Sequence, residues 1–118
     1  MLVLIAGPYR SGTGDDPARM AANLKALEAP AYRLFQAGHT PMIGEWVALP
    51  VWAAAGGGEI GDRLYEEIFH PVAHRLLAIC DAVLRLPGQS AGADNDVRIA
   101  RERGLPVYER LEDVPGCA

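Results

Sequence analysis

The sequence predicts an α/β fold, a small doubly wound (flavodoxin/Rossmann-like) parallel sheet of four to five strands flanked by helices. Three observations carry this. Leu2 to Ala6 is a continuous apolar run stopped by Gly7-Pro8, the pattern of a strand buried on both faces. Ala82-Val83-Leu84-Arg85-Leu86 reads as a further strand, stopped by Pro87-Gly88. Between and after them lie stretches with apolar residues at helical spacing, and strands alternating with helices imply βαβ units with right-handed crossovers.

Taken in order, the first strand is Leu2 to Ala6, and Gly7 to Pro17 is a loop rich in turn-forming residues. Asp16 is an expected N-cap with Pro17 at the first helical position. Met20, Leu24, Leu27, Tyr32, Leu34 and Phe35 then form an approximate helical stripe, interrupted at Pro30 and ended by Gly38. His39 to Ile43 is a weak second strand. Gly44 to Gly58 reads as the least regular segment, either an insertion over a pocket or an apolar partner surface built on Trp46, Val47, Leu49, Val51 and Trp52. Gly61 to Ile79 carries Leu64, Ile68, Val72, Leu76 and Ile79 as a helix, with a bend expected at Pro71. After the strand at 82–86, a helix is expected over Asp94 to Arg103, ended by Gly104. Leu105 to Tyr108 is a last short strand, and Leu111 to Val114 a single turn.

The chain has 118 residues, the usual size of one domain, so 1–118 is read as a single unit. Half of it is hydrophobic and 22% is charged, which is globular composition. A net charge of −4 offers no basic face for a phosphate backbone, and nucleic acid is not an expected partner. No apolar run reaches the length of a membrane span, and the apolar start lacks a basic flank. Cys80 and Cys117 have no partners at metal spacing and are expected to be reduced thiols, with Cys117 mobile near the chain end. A cytoplasmic protein is the expectation.

Ligands of doubly wound sheets bind beyond the carboxyl ends of the strands, where the strand order reverses. Two loops are thereby nominated. In the first, backbone N–H groups from Gly7 onward, with Ser11, Thr13 and Arg10, can hold an anion; a plain connector is the competing reading. Neither the Walker phosphate loop nor the dinucleotide fingerprint is matched. The second carries Ser90, Gly92, Asp94 and Asp96. Asp94 is expected to cap the helix, and Asp96 to lie in its first turn, where the dipole keeps it ionised as a nucleophile at a sugar carbon requires. Asp81 lies just before a strand, as a solvated turn residue or near the strand ends. His70 and His74 have the spacing of a helical zinc pair, but no third ligand stands out, and no metal is expected.

These residues resemble a known family. Ile5-Ala6-Gly7-Pro8-Tyr9-Arg10 is similar to the first strand and loop of the nucleoside 2-deoxyribosyltransferase superfamily, which includes a nucleotide N-glycoside hydrolase branch. Cys80 to Leu86, Ser90 to Asp96, Ala100 and Gly104-Leu105-Pro106-Val107 resemble its second half. The resemblance implies that Asp96 takes the place of a catalytic glutamate, Asp81 that of an aspartate assisting the departing base, and Tyr9 a place lining the site. It implies that Ser90 holds a phosphate, which with Arg10 and Ser11 suggests a 5′-monophosphate. The implied activity is cleavage or transfer at the N-glycosidic bond of a nucleoside or its 5′-monophosphate, with no cofactor and a homo-oligomeric assembly. Aspartate is one methylene shorter than glutamate, and a difference of roughly an ångström decides whether a nucleophile reaches its carbon. The alternative is therefore a non-catalytic nucleotide-binding or sensing domain on the same fold.

Overall fold

A computed structural model describes all of residues 1–118. The order is β1 (Leu2–Ala6), α1 (Pro17–Glu28), α2 (Ala31–Gln36), β2 (Thr40–Ile43), α3 (Gly44–Ala54), α4 (Arg63–Leu77), β3 (Ala82–Arg85), α5 (Ala91–Glu102) and β4 (Val107–Tyr108), then a 3-10 turn at Leu111–Asp113. The sheet has four strands in the order β2-β1-β3-β4, and every pairing is parallel. The expected α/β architecture is present, with β1 central. Register places Ile5 opposite both Ile43 and Leu84, so β1, β2 and β3 end at one level.

Alternation along the strands divides the core in two. Leu4, Ala6 and Val83 face one way and pack with Ala48 of α3, Leu76 of α4 and Ala100 of α5. Val3, Ile5, Ala82 and Leu84 face the other way, against Leu27 of α1 and Leu34 of α2. Both faces are covered, which is why the strands read as unbroken apolar runs. No helix is long and apolar enough to cross a membrane.

Local signals account for most boundaries. Asp16 caps α1, its carboxylate accepting from Ala18 N at 3.3 Å. Gly38 follows α2 with φ +91°, a left-handed position that costs glycine little. Three expectations need correction. Gly44 to Ala54 is helical rather than irregular, starting directly from β2 with Ile43 as an uncapped N-cap. Its start carries no capping side chain and Pro50 lies inside it, so the usual start and continuation signals are missing. The last long helix begins at Ala91, not Asp94, because Ser90 is its cap. Cys117 is buried rather than mobile, its carbonyl accepting from Arg33 Nη2 at 2.8 Å. Cys80 and Cys117 are free thiols in clusters on opposite sheet faces.

Candidate functional site

The chain leaves β1 towards β2 on one side and β3 towards β4 on the other, so the strand order reverses between β1 and β3. A cavity of about 260 Å³ opens beyond their carboxyl ends, near the small end of the ligand-site range. Its floor is the end of β1. Gly7 makes the turn there without room for a side chain: a Cβ would lie 2.9 Å from Leu27 Cδ2 and 3.3 Å from Leu86 Cβ.

Seven of the nine expected site residues line this cavity: Gly7, Tyr9, Arg10, Ser11, Ser90, Gly92 and Asp96. The other two do not. Asp81 sits at the opposite end of the sheet, where its Oδ2 accepts from Leu2 N at 2.7 Å, and β1 and β3 run away from it towards the cavity. Asp81 is level with Leu2, four residues from the Ala6 end of β1, or roughly 13 Å at about 3.3 Å per strand residue. Asp94 points away on an exposed face and pairs with Arg85 Nη2 at 2.8 Å. It caps nothing. Ser90 is the cap: it is buried, and its Oγ accepts from Ala93 N at 3.1 Å.

Asp96 also departs from expectation. With α5 starting at Ala91, it lies in the second turn, past the reach of the free N–H groups. Burial first, then the charge of Glu45, pushes its carboxyl up to about 7, while His70 and Arg85 pull the other way. It is poised between acid and base instead of being held ionised.

Sequence reasoning missed Glu45, Tyr65 and Phe69. Glu45 lies in the first turn of α3, just beyond the carboxyl end of β2, and lines the cavity. Burial raises its carboxyl too. Its charge also raises Tyr9 and Tyr65, so one carboxylate from α3 is felt by side chains of the first loop, α4 and α5. Tyr65 and Phe69, one turn apart on α4, stack with centroids 3.8 Å apart and planes 17° from parallel. Trp52 packs edge-on against Tyr65 at 6.0 Å. The spacing of Tyr65 and Phe69 was a legible signal for a shared helix face.

No protein-family model and no curated protein matches this chain.

The charge balance of the cavity comes from its own residues. Arg10 is the sole lysine or arginine of the lining. Its Nε and Nη2 grip Asp15 at 2.7 and 3.2 Å, its Nη1 reaches Glu66 at 3.4 Å, and its guanidinium lies 5.4 Å over the Tyr65 ring. Against this one shared cation stand Glu45, Glu66 and Asp96. His70 Nε2 pairs with Glu66 Oε2 at 3.0 Å instead of joining His74. The arrangement offers a flat aromatic wall, two carboxyls with raised proton affinity and a neutral-to-acidic interior.

Proposed function

We propose that this chain acts at the N-glycosidic bond of a nucleoside, or of its 5′-monophosphate, by cleavage or by transfer to a second base. The observation that carries the reading is the placement of Asp96: a half-buried carboxyl in an aromatic-walled cavity at the strand-order switch. Phe69, backed by the buried Tyr65, offers a face on which a base can stack. The ionised fraction of Asp96 attacks C1′ as the bond to the base breaks through an oxocarbenium-like state. Positive charge developing on the sugar favours the carboxylate form at that moment, so a raised proton affinity in the free protein is compatible with nucleophilic attack.

The unphosphorylated nucleoside has the stronger support of the two substrates. Arg10 is already held by Asp15 and Glu66, and Ser90 Oγ is engaged by the α5 backbone. A phosphate would meet three carboxyls and one shared cation. A second reading, a nucleotide-binding or sensing domain without turnover, is favoured by the partly protonated state of Asp96.

The test is a chromatographic screen for free base across nucleosides, deoxynucleosides and their 5′-monophosphates, with and without an added base. Release in water supports a hydrolase, and exchange only with added base a transferase. Binding without any release favours the sensing domain. Neither binding nor release removes the whole reading.

A further inference from the structure

The glycosidic reading leaves a chemical requirement unmet. A neutral base departs poorly as an anion, so its nitrogen must gain a proton as the bond breaks. The aspartate expected for that task, Asp81, is bound to Leu2 N at the far end of the sheet.

Topology puts another carboxyl in the cavity. β2 pairs with β1 so that Ile43 stands opposite Ile5, and α3 starts at once with Gly44. Glu45 is thereby fixed two residues beyond the strand end, near the level where Gly7 begins the β1 loop, and it lines the cavity with Asp96. The two approach from different elements, Glu45 from α3 and Asp96 from α5, on either side of the β1 floor. Ala48, one turn on in α3, is 1% exposed and packs into the core with Leu4 and Ala6, which anchors the helix turn that carries Glu45.

Resting on the glycosidic reading, we infer that Glu45 is the catalytic acid–base partner of Asp96. In the first step an Asp96 carboxylate oxygen forms a bond to C1′ and the C1′–N bond breaks. Its electron pair goes to the base nitrogen, which takes the proton from the Glu45 carboxyl. In the second, water adds to C1′, Glu45 accepts a water proton, and the Asp96–C1′ bond breaks to regenerate both groups. Burial raises the Glu45 carboxyl above the ordinary glutamate range and the Glu45 charge raises Asp96, so the two titrate as a pair, and the first step uses the form of the pair in which the last proton sits on Glu45. Two carboxyls with different duties at one glycosidic bond are a general chemical solution.

The experiment compares Glu45→Gln with the unmodified protein on two substrate classes. One is the neutral-base nucleosides; the other is N-glycosides whose base is already cationic, 7-methylguanosine and nicotinamide riboside, which leave without a proton. The expected result is a loss of about 10²-fold or more on the neutral class. On the cationic class the expected loss is below roughly tenfold, because general-acid help is not needed there. Retained cleavage of that class also shows the variant to be folded. Asp96→Asn is expected to abolish both. Equal losses of Glu45→Gln on the two classes, or no loss on the neutral class, overturn Glu45 as the acid while leaving the glycosidic reading standing. Release from neither class by the unmodified protein overturns that reading and Glu45's role with it.

Discussion

Asp81 Oδ2 accepts a hydrogen bond from Leu2 N at 2.7 Å, tying the start of β3 to the start of β1. The Asp81 backbone N–H also donates to Leu2 O at 2.8 Å, so the two chain entries into the sheet are clamped twice. This is a structural duty. Asp81→Ala is expected to cost about 1 kcal/mol of stability, the usual worth of one such bond at an exposed position. Base release by the folded variant should be unchanged. Urea unfolding beside an activity assay checks both, and a variant of normal stability with lost activity would return Asp81 to the mechanism.

Ser90 caps α5 from a buried position, its Oγ satisfying Ala93 N at 3.1 Å. Ser90→Ala removes the cap and is expected to lower stability by about 1 kcal/mol. Loosening the first turn of α5 should weaken nucleoside and 5′-monophosphate binding to a similar degree. A selective loss of monophosphate binding, read by calorimetry on both ligands, would give Ser90 the phosphate role that its cap bond argues against.

Gly61 holds φ +81° in the α3–α4 loop, and a Cβ there would collide with the Arg10 guanidinium. Arg10 in turn joins the first loop to α4 through Asp15 and Glu66. Gly61→Ala therefore meets both backbone strain and a displaced arginine, and a loss of about 1–2 kcal/mol is expected. Arg10→Ala should relieve the collision, so the double variant is expected to lose less than the sum of the two single ones. Strict additivity in a double-mutant cycle would show that the contact carries no energy.

Much of this fold was legible because its local signals agree with its tertiary structure. Leu2–Ala6 and Ala82–Leu84 are apolar because helices cover both sheet faces, and Asp16, Gly38 and Gly104 mark helix ends by backbone chemistry. α3 was hidden because its start is set by β2 pairing rather than by a cap, and Pro50 contradicts its continuation. The site was legible where loops follow strand ends, at Gly7, Tyr9, Ser90 and Asp96. Glu45 was not, since its place in the cavity depends on an unannounced helix. Asp81 was misplaced because adjacency to a strand does not tell which end of the sheet a residue occupies.

Asp96 links stability and activity to the same proton. Its folded pKa, about 7, lies above the ordinary aspartate value of 3.8, so folding favours the protonated form. A carboxyl raised in this way is neutral in its effect below about pH 4, and costs increasing stability as pH rises towards about 7, beyond which the cost is constant. Asp96→Asn removes that cost. The variant is expected to match the unmodified protein near pH 4 and to exceed it by about 2 kcal/mol at pH 8, allowing for water reaching the site. Activity should follow the pair: kcat/KM of the unmodified protein rises as pH approaches about 7 and Asp96 ionises, falls again as the proton that Glu45 donates is lost, and is absent throughout in Asp96→Asn. Urea denaturation from pH 4 to 8 beside a pH–rate profile measures both. A stability gain that stays flat across that range would place the raised proton affinity on another group, and would take the nucleophile's ionisation out of the pH profile with it.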